Sequence, residues 1–220
     1  MKEENLIILG AGDSTLEIID LVNDINKKKT KKIKIIGILD DDKKLNKKKI
    51  LKLLILGKIK DIYKFKKEKF FLGIFSHKNR FFRERLIKKL KKIHNRFINI
   101  VHPNSLISSN AKIGFGCLIS NNCYIYHGSK IGNFCTILPD VSIAPKTKVQ
   151  NNCFIGKSVI LSNKSKIYKN AYLGFQSAVL ENINIAEGSR VLPNTIVNNS
   201  VNKKKSVIFG NPGKIIAYDK

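Results

Sequence analysis

The chain has 220 residues, of which 43% are hydrophobic and 26% charged, and it carries a formal net charge of +26. That length and apolar share suffice for one large or two small cores, no apolar run approaches the ~20 residues of a membrane span, and the start lacks a basic-then-apolar leader pattern, so a globular protein of the cytoplasm is expected. The charge would ordinarily raise nucleic acid or an anionic membrane as a partner, but only five of the 42 basic residues are Arg, 23 residues are Asn and none is Trp. The excess therefore reads as a drift toward Lys, Asn and Ile codons, with the Arg-rich and aromatic surfaces that read nucleic acid missing.

In chain order, Leu6-Ile7-Ile8-Leu9 is a buried-type strand, Gly10-Ala11-Gly12 a tight turn, and Leu16 to Asn26 has helical spacing with Glu17 in its first turn. A second strand, Ile33 to Leu39, runs into Asp40-Asp41-Asp42, and Phe70 to Phe75 offers a third before a basic helix from Arg80 to Lys92. Strands alternating with helices predict a small open α/β sheet with parallel strands. The glycine turn presents backbone N–H groups and a helix N-terminus to a phosphate, and the acidic cluster can accept hydrogen bonds from a ribose or base. Thr15 stands where a dinucleotide fingerprint has its third glycine, so a sugar nucleotide suits this abbreviated site better than a dinucleotide.

The pattern changes between His94 and His102, which divides the chain into domains 1–97 and 98–220. From Val101 to Val197 every sixth residue is Ile, Val or Leu, seventeen in an unbroken series. A period of six fits neither a helix nor a flat strand, but it fits a parallel β-helix whose coils stack aliphatic side chains into ladders. Four residues after each aliphatic comes a mostly small residue, as a crowded corner requires. Cys117, Cys123, Cys135 and Cys153 all occupy that position, so they read as small buried hydrophobes, with no zinc or redox spacing. Beyond a polar stretch from Val197 to Lys205, the segment Gly210-Asn211-Pro212-Gly213 is expected to force the chain off the coil axis.

The hexads Ile113-Gly114, Ile131-Gly132, Ile155-Gly156 and Leu173-Gly174, the terminal Gly210-Asn211-Pro212-Gly213-Lys214, the glycine turn, Gly37-Ile38-Leu39-Asp40-Asp41-Asp42 and Ile100-Val101-His102-Pro103 carry a resemblance. The chain resembles the hexapeptide-repeat acyltransferases of the sialic acid O-acetyltransferase and UDP-amino-sugar N-acetyltransferase family over residues 5–216. The resemblance implies a Rossmann-like α/β N-terminal domain followed by a left-handed parallel β-helix, and a homotrimer with active sites between neighbouring prisms. Acetyl-CoA would be the donor, no metal would be needed, and the acceptor would be a UDP-amino sugar or a sialic acid-type substrate of surface-glycan synthesis. N-acetylation of a nucleotide-linked amino sugar is the leading activity; O-acetylation of sialic acid or another sugar, or a catalytically impaired trimeric scaffold, are the alternatives. A zinc enzyme on the same prism would need three ligand histidines, and the hexads hold only His102 and His127.

Acetyl transfer to an amine needs a base for the nucleophile's proton, and histidine is the natural one near neutral pH. His127, two residues after an inward Ile, matches the family's catalytic position. Family members usually follow this histidine with an acid and often carry a second histidine nine residues on; here Gly128 and Thr136 stand in those places, and Asp140 of the same or an adjacent subunit is a substitute acid. The family's donor contacts map to Thr136, Lys157, Phe175 and Pro193, with Lys157 also suited to a CoA phosphate. Its sugar-nucleotide contacts map to Gly10, Gly12, Asp13, Ser14, Asp40, Asp41 and Gly57. His77 is expected as a loop residue facing the nucleotide site, His102 as structural, and His94 as solvated on a helix end.

Overall fold

The computed structural model describes residues 3–28, 32–45, 48–75 and 78–219. Strand β1 (Glu4–Leu9) is paired on both sides, by β2 (Ile33–Leu39) and by β5 (Lys69–Leu72), and its four apolar residues Leu6 to Leu9 are fully buried. A parallel strand covered on both faces must be apolar at consecutive positions, which is why it reads as a run without alternation. With β3 (Lys49–Ile50) and β4 (Leu53–Gly57) the sheet order is β3-β4-β2-β1-β5, antiparallel only between β3 and β4. Helix α1 (Asp13–Lys27) buries Thr15, Ile18, Ile19, Val22 and Ile25 against the sheet, a 3–4 spacing that gives one apolar stripe. Helix α2 (Arg80–Lys89) and a following 3₁₀ segment, Lys91–Arg96, close the other side through Leu86 and Leu90. The third strand and the second helix are both shorter than the sequence pattern suggests.

All seventeen hexads form two-residue strands with the aliphatic second, from Ile100–Val101 to Ile196–Val197. Strands eighteen residues apart pair in parallel, Tyr124 with Ser142 and Lys130 with Lys148 for example, so three strands make one turn of a three-sided prism. The aliphatic ladder and the small residues four positions later fill the interior; Cys117, Cys123, Cys135 and Cys153 are all free and buried there. In each of the fourteen hexads from Gly116 to Asn194 the third residue after the aliphatic has a positive φ, between 56° and 70°. This left-handed residue turns the corner, and Asn and Gly recur at it because they adopt that conformation at least cost.

The three faces carry different side chains on their outer surface. The first displays Leu106, Tyr124, Ser142, Ile160, Ala178 and Ile196; the second displays Lys112, Lys130, Lys148, Lys166 and Asn184; the third, Leu118, Thr136, Phe154, Tyr172 and Arg190, lies under the α/β domain. After the coils, Ser206–Phe209 adds a parallel strand to the third face, and Gly210-Asn211-Pro212-Gly213 reverses the chain so that Lys214–Tyr218 pairs with it antiparallel. The glycines and proline thus turn the chain back on the same sheet.

The α/β domain is fixed to the third face at several points. Phe75 packs on Phe154, which stacks on Tyr172 at 4.8 Å between ring centroids. Arg83 reaches from α2 to the Phe134 carbonyl at 2.6 Å and to Asn152, and its complete burial lowers the guanidinium to about 10. Arg80 pairs with Asp219, which also takes Arg190 at 2.8 Å. Buried guanidinium groups held by carbonyl and carboxylate oxygens make the junction part of the core.

Candidate active site

The glycine turn after β1 leads directly into α1. Gly10 sits at φ +100°, where a Cβ would run into Ile74, so only glycine fits. Gly12, the residue before α1, has open space around it, with no atom within 4 Å of where a Cβ would stand. Thr15, in place of a third glycine, is buried and donates its hydroxyl to the Gly10 carbonyl at 2.7 Å, while the Ser14 hydroxyl donates to the Phe75 carbonyl at 3.2 Å. Asp13 opens the first turn of the helix.

The acidic cluster lies beside this turn and is already engaged with backbone. Asp40 accepts from the Ala11 amide through Oδ2 and from the Asp42 amide through Oδ1, both at 2.7 Å, and Asp41 accepts from the Ile59 amide at 2.9 Å. Asp40 therefore orients the glycine turn, and whatever it offers a ligand is the remaining lone pairs of its oxygens. Gly57, at φ +148°, lies over Asp61, which accepts from the Lys58 amide at 2.9 Å. Asp40, Asp41, Asp42, Gly57, Lys58 and Asp61 line a cavity of about 490 Å³.

A larger cavity, of about 650 Å³, opens between α1 and the corner where the third face turns into the first. Glu17, Leu21 and Asp24 wall it from the helix; Leu118, Leu138, Pro139, Lys157 and Phe175 are among those that wall it from the prism. Burial, with Asp13 adding to it, raises the Glu17 carboxyl above its ordinary range. Lys157 stands 3.8 Å from Asp140 on the same corner, and Phe175 is 48% exposed. Pro193 continues this ladder one coil beyond Phe175, but Thr136 does not belong to it. Thr136 is an outward residue of the third face, 1% exposed beneath the α/β domain, and its hydroxyl has no hydrogen-bond partner among the described residues.

His127 lies on a different corner, where the first face turns into the second. It is exposed, its carbonyl accepts from the Lys146 amide at 3.0 Å, and its Nδ1 is 3.2 Å from the Asn110 amide nitrogen. Within one chain the histidine and the ladder of Lys157 and Phe175 are thus on separate edges of the prism. Asp140 stands on the ladder's edge, hydrogen-bonded by Asn122 at 3.3 Å, so it does not support His127 of its own chain. The period of eighteen carried this signal, since 127 and 157 differ by thirty residues, one full coil and two faces.

His102 and His94 have structural surroundings. His102 is 1% exposed; its Nδ1 accepts from the Asn104 amide at 3.2 Å, which puts the proton on Nε2 for donation to Asp24 at 2.7 Å. That hydrogen bond is the main cause that holds the Asp24 carboxyl below its ordinary value. His94 is not solvated: it is half-buried, with Nε2 2.9 Å from the Ile87 carbonyl and its ring between Phe97, Phe115 and Phe134. His77 lies outside the described residues. Among the described residues no cluster of His, Cys, Asp or Glu could hold a metal ion, and no helix is long and apolar enough to cross a membrane.

Comparison with known proteins bears on both halves. Residues 87–207 match the family of the GMPPB C-terminal domain, and residues 5–90 match the family of the PglD N-terminal domain. No curated protein matches the chain. Among solved structures, the chain is similar to a histidine variant of perosamine N-acetyltransferase from Caulobacter crescentus in complex with CoA and GDP-perosamine, with 18% identity, a TM-score of 0.84 and 97% of each chain covered. It is also similar to the acetyltransferase domain of PglB from Neisseria gonorrhoeae FA1090 in complex with acetyl coenzyme A (14% identity, TM-score 0.83, 98% of this chain and 100% of that one). WeeI from Acinetobacter baumannii AYE matches with 20% identity and a TM-score of 0.82, over 98% of this chain and 100% of that one. At these identities the likeness establishes the α/β domain and left-handed prism as a shared fold. Through residues 87–207, more than half of its length, the chain belongs to the family of the GMPPB C-terminal domain, with a PglD-type N-terminal domain over residues 5–90.

Proposed function

We propose that the protein is an N-acetyltransferase that moves the acetyl group of acetyl-CoA onto the amine of a nucleotide-linked sugar, in a homotrimer whose active sites lie between neighbouring prisms. The observation that carries this reading is the placement of two half-sites on the two edges that flank one apolar face. The first face, with Leu106, Tyr124 and Ile160 all exposed, separates the His127 edge from the Lys157 and Phe175 edge. Three copies that turn this face toward a common axis bring the histidine edge of one against the cavity edge of the next, and a head-to-tail contact of this kind closes into a ring. The structural neighbours that hold CoA and GDP-perosamine support the substrate classes.

In this arrangement the nucleotide lies at Gly12, the N-terminus of α1 and the cavity of Asp40, Asp41 and Gly57, and Gly10 shapes the turn. Asp13 and Ser14 flank the phosphates, and the sugar extends along α1 toward Glu17. The apolar wall of Leu118, Leu138 and Phe175 fits the uncharged arm of CoA, Lys157 suits one of its phosphates, and Pro193 continues the edge. The amine nitrogen attacks the thioester carbonyl carbon as His127 takes its proton; the tetrahedral intermediate collapses, the C–S bond breaks, and the imidazolium returns the proton to the CoA thiolate. The histidine ends as it began, so it turns over without a further reagent.

Purified protein incubated with acetyl-CoA and UDP-, dTDP- and GDP-linked amino sugars should release free CoA with at least one of them, and His127→Ala should abolish that release. Release of CoA with none of the sugars, or equal rates in the variant, would overturn the proposal.

A further inference from the structure

We infer that Asn110, one coil before Gly128 on the same corner, is the residue that orients His127 in this chain. The inference rests on His127 being the base, and it answers a specific gap. The residue after the histidine has no side chain, although the backbone does not forbid one. Gly128 has φ +70°, but Asp140 and Lys146 hold almost the same conformation at the equivalent corner positions, and a Cβ on Gly128 would meet nothing closer than the Lys146 Cγ at 3.5 Å. The carboxylate has therefore been given up without a steric cause.

Among the described residues of the same chain, no acid takes its place at this corner. The charged groups that face this edge are Lys146, whose stem passes over Gly128, and Lys112 and Lys130 on the adjoining face; Glu181, three coils along the same edge, is engaged by Lys164 at 3.7 Å. A cationic edge does nothing to fix which ring nitrogen of a neutral imidazole carries the proton. The Asn110 amide does, because it is the polar side chain in contact with Nδ1, at 3.2 Å.

Which end of the amide faces the ring decides the chemistry. With its nitrogen inward, the amide donates to Nδ1, the ring proton sits on Nε2, and neither nitrogen has a free lone pair for an incoming amine. Turned by 180° about its last bond, the amide fills the same volume and its Oδ1 accepts from Nδ1–H, which leaves the Nε2 lone pair open. A base requires the second arrangement. The amide is neutral, so it fixes the tautomer without the extra stabilisation of imidazolium that a carboxylate supplies. Asn110 is thus a positioning residue, reached from the neighbouring coil because the corners stack in register.

The test uses the assembled full chain labelled with ¹⁵N-histidine, with the His127 signals identified by their loss in His127→Gln. The neutral ring should carry its proton on Nδ1 in the wild type and lose that preference in Asn110→Leu. In the same variant kcat should fall about tenfold, as for loss of a partner that orients a catalytic histidine, with KM for both substrates within about twofold; Asn110→Asp, which can only accept, should restore kcat. A proton on Nε2 in the wild type, or an unchanged tautomer and kcat in Asn110→Leu, overturns the inference. The tautomer reading does not depend on turnover, so full activity in His127→Ala would remove the base assignment and be recognised as that separate failure.

Discussion

The two edges that flank the apolar first face are alike in backbone and different in everything the side chains do. The Lys157 and Phe175 edge borders a cavity of about 650 Å³, because α1 stands over it. The His127 edge has no α/β element over it; a shallower hollow of about 610 Å³ lies farther along it, lined by Ala144, Asn163 and Glu181, and does not include the histidine. The difference is that the α/β domain walls one of the three corners into a deeper cleft, while in the proposed assembly a neighbouring copy would cover the corner that carries His127. A repeat makes corners interchangeable; the domain packed on one face makes them unequal.

Substitutions on the two edges should therefore fail in different ways, and the largest effect belongs to the histidine. His127→Ala is expected to lower kcat about 10³-fold, within the range for loss of a general base, and to leave KM for acetyl-CoA nearly unchanged. Steady-state kinetics with varied acetyl-CoA checks both parts. Leu161→Ala, inside the prism, should cost ~3 kcal/mol of unfolding free energy through a cavity between coils, measured by chemical denaturation, and should affect both edges equally. His102→Ala should cost ~2 kcal/mol, because a buried ring and its hydrogen bonds are lost at the junction of α1 and the first coil.

That last difference has a pH dependence. The His102 hydrogen bond lowers the Asp24 carboxyl from its ordinary value of 3.8, so the stability it contributes is complete above that value and is lost as pH falls through the lower folded value. Denaturation curves of wild type and His102→Ala should accordingly draw closer as the pH falls below 3.8. The smallest effect is expected at Phe175→Ala, with KM for acetyl-CoA raised about tenfold at constant kcat, equivalent to ~1.4 kcal/mol of lost apolar contact. If Phe175→Ala lowered kcat as His127→Ala does, the two edges would not divide binding from chemistry.

Much of this was legible in the sequence, for physical reasons that differ by region. The unbroken series of hexads specifies the prism because each inward position must match those one coil away, and the cysteines follow from the same rule. In the α/β domain, β1, α1 and β2 are visible because an apolar run, a glycine turn and a helical stripe are local signals. The strand β4 and its hairpin with β3 are not, since the turn between them is made by Leu51 and Lys52 at φ 43° and 71°, residues that advertise no turn. His94 looks solvated in sequence because the rings of Phe115 and Phe134 that enclose it come from the prism, a contact no local pattern records. Thr136 falls outside the ladder of Lys157, Phe175 and Pro193 because positions on one edge must agree modulo eighteen, and by the same rule Asp140 stands on a different edge from His127 of its own chain. Asp40 looks like a free ligand carboxylate until the backbone amides of Ala11 and Asp42 are seen to occupy it.

The central claim is that each active site takes its histidine from one copy and its cleft from the next, and one mixing experiment tests it directly. His127→Ala chains lack only the base; chains with Leu138→Trp and Phe175→Trp fill the cleft and keep the base. Each homotrimer should be inactive. Co-refolded at equal amounts, the two should recover about a quarter of wild-type kcat per site, because random assembly pairs an intact histidine edge with an intact cleft at about one interface in four. Recovery near that level is what the account predicts, and mixed trimers that form but remain as inactive as either parent would contradict it.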